Sequence, residues 1–191
     1  MRSISFHNGG AFLIFCGGKS LPGKEKTVMA KEKSRNSGKS GSGQVGKCKY
    51  GVVRQQGEAH VVRRMGVSDR NIIGTDGLND LLNRMVAGDI LCVPTIASFA
   101  GSAYDLFCKM QFLSNRGVEF QSGNEAYLNF SSLKPLSVVS VETLKVFALR
   151  EVEFVKWVQG SSLPDAAKVP IIRRIQEEAL VEVALVFKNN G

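Results

Sequence analysis

The stretch Gly88-Asp-Ile-Leu-Cys-Val-Pro94 constrains this chain more than any other. Ile90 to Val93 are apolar without alternation, and Gly88 and Pro94 bracket them. A strand with one wet face alternates polar and apolar residues. A strand with no polar position must be covered on both faces, as in the centre of a parallel sheet. Parallel strands need long crossover connections, usually helices, and the flanking sequence supplies them. Residues 50–53 (Tyr-Gly-Val-Val) read as a strand and 56–65 as a short helix with Ala59, Val62 and Met65 inward. Residues 71–73 read as a second strand ended by Gly74-Thr-Asp-Gly77. Leu78, Leu81, Leu82 and Met85 predict a helix over 78–87 that Gly88 stops. The apolar run at 89–93 is the third strand. Residues 102–115 form the next helix, with Ser102 as N-cap and Asp105 three residues on. Arg116-Gly117 ends it, 118–120 is a fourth strand, and 122–135 reads as irregular.

Strands alternating with helices predict an α/β fold built on a parallel sheet. Two long helices follow it, over 137–159 and 165–187, the second bent at Pro170. The first carries two apolar stripes. Val141, Leu144, Ala148, Val152 and Val155 make one; Phe147, Phe154 and Val158 lie beside it. A helix that is apolar on two faces packs on its own domain and on a partner. Val141, Ala148, Val152 and Val155 are therefore candidates for a homo-oligomer interface, in a dimer or larger assembly. Trp157, beside Lys156, reads as a packing or anchoring residue rather than a base-stacking one. The expected organisation is a basic leader over 1–49, an α/β domain over 50–136, a dimerisation-type helix over 137–159 and a C-terminal helical segment over 160–191.

Charge separates the leader from the body. The net charge is +8. Before Tyr50 there are ten basic residues and only Glu25 and Glu32 as acids; from Tyr50 onward 15 basic residues meet 15 acidic ones. The excess therefore sits in a Lys-, Ser- and Gly-rich leader expected to be disordered. Such a segment is either a solvated tail or a loose holder of phosphates. The candidate DNA contacts are Lys31, Lys33, Arg35, Lys39, Lys47 and Lys49, with Arg63 and Arg64 in the body. Met29-Ala-Lys31 reads as the true start, with 1–28 an upstream extension.

Within the leader, Gly41-Ser-Gly-Gln-Val-Gly-Lys-Cys48 approaches the spelling of a phosphate-binding loop. That loop needs a buried strand before it and a helix after it, so that helix-terminal amides face the phosphates. Here a polar segment precedes, a strand follows, and Cys48 replaces the magnesium-binding hydroxyl. No nucleotide is expected. Cys16, Cys48, Cys92 and Cys108 form no CxxC, and with only His7 and His60 no metal site is spelled and no cofactor implied. Cys92 and Cys108 read as buried, reduced thiols of a cytosolic protein. The longest apolar run, residues 11–16, is too short to span a membrane, so a cytoplasmic chain is expected.

One part of the body resembles a known family. Gly88-Asp89, the strand after it, the loop Ile96-Ala-Ser-Phe-Ala-Gly-Ser102, Asp105-Leu106 on the next helix and Gly117-Val118 before the next strand are similar to the catalytic domain of serine recombinases, the resolvase and invertase family. Tyr50-Gly-Val-Val53 matches the family's opening strand, and the helix from Ser137 its dimer helix. The likeness covers roughly 50–159. It implies a resolvase-like α/β domain, DNA as partner, and a phage, plasmid or other mobile element in a bacterial or phage-infected cytoplasm.

The departures from the family fall on its chemistry. The family's nucleophilic serine corresponds to Arg54 and the arginine of the same strand to Val52. Two phosphate-holding loop arginines correspond to Ser98 and Gly101, and a Glu-Arg pair late in the long helix to Glu151-Val152. Phosphoryl transfer to serine needs a free hydroxyl and fixed cations around the phosphate, and an arginine stays protonated and cannot attack. Ser98, Ser102 and His60 are the residues a relocated reaction would use, but they read as a loop serine, an N-cap and a surface histidine. A helix-turn-helix DNA reader has no room after Gly160, where the sequence reads as one helix. The leading expectation is a serine-recombinase-like protein without strand exchange, serving a structural or regulatory role near DNA through self-assembly. The alternatives are a divergent but active site-specific recombinase and a self-assembling protein with no DNA role.

Overall fold

The computed structural model describes residues 47–190. Its sheet is the all-parallel one that the unbroken apolar run demands. Strands β1 (Lys49–Val53), β2 (Ile72–Gly74), β3 (Ile90–Val93) and β4 (Glu119–Ser122) stand in the order β2-β1-β3-β4. Gly51 pairs with Ile72 on one side and Cys92 on the other, and Ile90 with Glu119. All four residues of β3 are buried.

Successive residues of the central strands feed opposite faces, as the pleat requires. Val52, Leu91 and Val93 enter the main core, while Val53, Ile90 and Cys92 pack with Val62 and Val67. The second face is covered by α1 (Ala59–Arg64), which follows a 3-10 turn at Gln56–Glu58. A Cβ on Gly51 would lie 3.2 Å from Val62, so glycine there lets α1 approach the sheet closely. The main core lies under α2 (Leu78–Arg84), α3 (Ile96–Phe99), α4 (Ala103–Asn115), α5 (Val138–Gly160) and α6 (Asp165–Asn190). Phe99, Phe120 and Phe130 stack through it, with ring centroids 5.1 and 5.9 Å apart.

Several local expectations are corrected. α2 stops at Arg84 rather than running to Ala87. Met85 turns to extended geometry, and its side chain is 1 % exposed. The amide of Val86 then donates to Asp89 Oδ2 at 3.0 Å. Burial of Met85 and this hydrogen bond end the helix. Gly88, at φ +91°, instead makes the turn into β3. The loop after β3 contains a helix, α3, because Thr95 Oγ1 accepts from the Ser98 amide at 3.1 Å and caps it. The irregular stretch after β4 holds a 3-10 turn at Ala126–Leu128 and an antiparallel bridge between Phe120 and Phe130. α6 runs without a break through Pro170, which removes one intrahelical hydrogen bond near its start.

The largest difference is organisational. Leu144 of α5 and Ala179, Leu180 and Val183 of α6 belong to the same core as the sheet. The expected segment boundaries at 136/137 and 159/160, at the N-cap and in the last turn of α5, thus fall within one packed body. α6 is not a free partner helix: its C-terminal half completes the core, and its N-terminal half carries solvated i,i+4 pairs, Arg173–Glu177 at 2.9 Å and Arg174–Glu178 at 2.7 Å. No helix among the described residues is long and apolar enough to cross a membrane.

Candidate functional site

In an open parallel sheet, ligands sit beyond the carboxyl ends of the strands, where loops and helix N-termini converge. Here that crest is formed by the residues after β1, β3 and β4 and by the N-terminus of α4. It contains most of the positions that the recombinase resemblance marks.

Arg54 follows β1 and is exposed; its Nη1 lies 3.5 Å from the Ala97 carbonyl oxygen. Val52 is fully buried in the core, where a guanidinium would have no solvent. Gly101 donates its amide to Asp105 Oδ2 at 3.0 Å. Ser98 is 3 % exposed, and its hydroxyl donates to Glu58 Oε1 at 3.0 Å while Thr95 Oγ1 lies 2.9 Å away. Ser102 caps α4, accepting from the Asp105 amide at 3.0 Å. His60 lies on the exposed side of α1 and donates from Nδ1 to the Gly57 carbonyl at 2.6 Å.

Four carboxylates organise the crest; the sequence had singled out Asp105 and Glu151 for other reasons, and Glu58 and Glu125 not at all. Glu58 accepts from the amides of Arg54 at 2.7 Å and Gln55 at 3.1 Å. Glu125 accepts from the Ile96 amide at 3.1 Å and the Ser122 hydroxyl at 2.5 Å. Asp105 takes the Gly101 amide and, through the same oxygen, Lys109 at 2.7 Å. Glu151, 4 % exposed, reaches from α5 to the N-terminus of α4 and accepts from the amides of Ala103 at 2.6 Å and Tyr104 at 3.3 Å. Free amides at a helix start would bind an anion. In this crest the chain's own carboxylates occupy them.

The titration of these groups follows their surroundings. Burial pushes the Glu58 carboxyl upward, but the hydrogen bonds from the Arg54 and Gln55 amides and the Ser98 hydroxyl outweigh it, and its pKa falls below the ordinary value. A general base for a serine works best near the operating pH, so the Glu58–Ser98 contact is a poor catalytic pair. For Glu151 burial wins over the bonds from Ser102, Tyr104 and Ala103, and its pKa rises. Burial pushes the Cys92 thiol up to about 11, which keeps it a protonated core residue, as expected; Cys108 is half-buried.

A cavity of about 380 Å³ lies beside Arg54, between the ends of β1 and β2, with Gln55, Arg63 and Asp69 on its walls. It gathers no hydroxyl nucleophile. Among the described residues no group of three or more His, Cys, Asp or Glu could hold a metal.

The other expected contacts are dispersed. Lys31, Lys33, Arg35 and Lys39, and most of the phosphate-loop spelling, lie outside the described residues. Lys47 pairs with Glu119 at 2.7 Å, Lys49 donates to the Met65 carbonyl at 2.9 Å, and Arg63 pairs with Asp69 at 2.5 Å. Arg64 is exposed. Of the candidate oligomer stripe, Ala148 is 1 % exposed and Val141, Val152 and Val155 are half-buried. α5 packs on both α4 and α6, and of this stripe only Ala148 is fully covered within the chain. The apolar side chains that α5 leaves open are others: Val138, Val139, Val146, Leu149, Phe154 and Trp157.

Comparison with known proteins adds no relative: no protein-family model and no curated protein matches the chain.

Proposed function

We propose that this chain is a serine-recombinase-like scaffold that does not exchange DNA strands and acts by self-assembly, in a structural or regulatory role near DNA. The observation that carries this reading is the closed crest. Where a phosphate would need amides and cations, Glu58, Asp105, Glu125 and Glu151 hold the amides. β1 delivers a guanidinium at Arg54 rather than a hydroxyl, and an added phosphate would meet carboxylates. DNA association rests on the basic leader, whose charge the body does not share.

Incubation with supercoiled plasmid, quenched in denaturant, should give no covalent protein–DNA adduct. An adduct that disappears when a single serine is changed would overturn the proposal in favour of an active recombinase. Replacing Lys31, Lys33, Arg35 and Lys39 by Gln in the full chain should weaken DNA retardation and flatten its salt dependence, by roughly 0.9 in the log–log slope for each phosphate no longer neutralised. Full-length protein that leaves DNA unretarded at low salt would remove the DNA part. That outcome would favour the second reading, a self-assembling protein with no DNA role. The internal pairing of Lys47, Lys49 and Arg63 supports that reading.

A further inference from the structure

α5 presents an outward ridge that the core does not use. Val146, Leu149, Arg150, Glu153, Phe154 and Trp157 follow the spacing i, i+3, i+4, i+7, i+8, i+11, which is one face of a helix. The four apolar members are 62 %, 53 %, 50 % and 74 % exposed in that order along the chain. Arg150, Glu153, Phe154 and Trp157 surround a mostly apolar hollow of about 380 Å³. Their spacing is that of the four-cornered hole into which a facing helix inserts a side chain.

We propose that this ridge pairs with the same ridge of a second copy, the two α5 helices antiparallel about a two-fold axis level with residues 151 and 152. The proposal rests on the self-assembly reading above and names its surface and register. The ridge reads the same in both directions by chemical type. About that axis Val146 stands opposite Trp157 of the second copy, Leu149 opposite Phe154, and Arg150 opposite Glu153. Each contact occurs twice, as an isologous interface requires. Leu149 of the second copy then points into the hollow, and its symmetry mate fills the other one. Phe154 and Trp157 supply the aromatic anchors that interface centres favour.

Charge selects the second copy and the register. A parallel arrangement would set Arg150 against Arg150 and Glu153 against Glu153. Sliding the antiparallel pair by one turn would set Glu153 against Val146. An unrelated helix would impose no such palindrome. Arg150 is already held by Glu182 of α6 and lies 5.3 Å from the Phe147 ring centroid. Its five donors serve a second carboxylate without giving up the first, so no charge is buried unpaired.

Trp157 is the chain's single tryptophan and reports the contact directly. Raising the concentration of full-length protein should shift its emission to the blue as the mass measured by sedimentation equilibrium doubles. Arg150→Glu or Glu153→Arg alone should weaken the dimer at least roughly tenfold, because each sets like charges opposite one another twice. Mixing the two variants in equal amounts should restore a dimer of near wild-type affinity, since two acidic corners then meet two basic ones. The mixture separates a broken contact from a misfolded chain. A self-associated protein whose mass ignores both substitutions, or a mixture that stays dissociated while both variants keep wild-type circular dichroism, overturns the α5 register and leaves self-assembly standing. A full-length protein that is monomeric at every concentration overturns both.

Discussion

The crest of the sheet and the outer face of α5 are opposites. The crest is polar and closed: each carboxylate named there has its amide, hydroxyl or ammonium partner within the chain. The outer face of α5 is apolar and open, with Trp157 74 % exposed. The first occupies the position where an α/β fold usually works on a ligand. The second lies on a helix that reads in sequence as apolar on two faces. Position in a fold marks where chemistry is convenient; unsatisfied groups mark where something further must bind.

That contrast makes substitutions at the two regions behave differently. The largest effect on folding is expected at Glu151. Glu151→Ala strips a buried acceptor from the Ala103 and Tyr104 amides and should cost about 1–3 kcal/mol in urea unfolding. Glu151→Gln keeps an acceptor and sheds the charge that burial disfavours, so it should fold nearly as well as the parent at neutral pH. The pH response carries the sign. Glu151 has a raised pKa. Between the ordinary and the raised value its folded form holds a proton that the unfolded chain has lost, so its contribution falls as pH rises through that window. Glu151→Gln should remove that slope. An alanine variant as stable as the glutamine one would break the picture of a closed crest.

A smaller effect, of opposite sign in pH, is expected at Glu58. Its pKa is lowered. The stability it contributes is complete above the ordinary carboxylate range and is lost as pH falls through the lowered value. Glu58→Gln should cost about 1 kcal/mol at neutral pH, since hydrogen bonds to an ionised acceptor exceed those to a neutral one. It should also flatten the acid limb of the stability curve. An acid limb identical to the parent's would mean that the Arg54 and Gln55 amides do not depend on this carboxylate.

The smallest effect on folding should come from the open face. Trp157→Ala should change the unfolding free energy of dilute, monomeric protein by no more than about 0.5 kcal/mol, as for other exposed side chains. The same change should remove most of the concentration-dependent mass increase. A loss of several kcal/mol in the monomer would place Trp157 in the core and end the contrast.

Much of the fold was legible because its signals are local. The unbroken run Ile90–Val93 announced a covered central strand, Ser102 and Asp105 marked the start of α4, and Gly160 to Pro164 marked the break between the last helices. The end of α2 was not legible, because the depth of Met85 and the bond from Val86 to Asp89 decide it. α3 was missed because four residues carry too little periodicity; the Thr95 cap was its available signal. At the crest, the resemblance to serine recombinases pointed to Arg54, Ser98, Gly101 and Glu151, and Asp105 was read beside the cap of α4. The long-range partners of the carboxylates that close it could not be read. Glu58 meets Ser98 across 40 residues of sequence and Glu151 meets Ala103 across 48, and no local pattern records such contacts.

α5 shows the same division. The sequence by itself determined that this helix is apolar on more than one face, because residue type and the 3.6-residue repeat are enough to say so. The resemblance to serine recombinases likewise put Arg54, the residue after β1, at the position of that family's nucleophile. Only the tertiary structure decided which stripe faces inward. Ala148 and Leu144 lie buried because α4 and α6 close over them, and Val146, Leu149 and Trp157 are left outside. Periodicity fixes the angles between side chains around a helix axis. The direction in which the whole set points depends on which neighbours pack against it, and those neighbours come from distant parts of the chain.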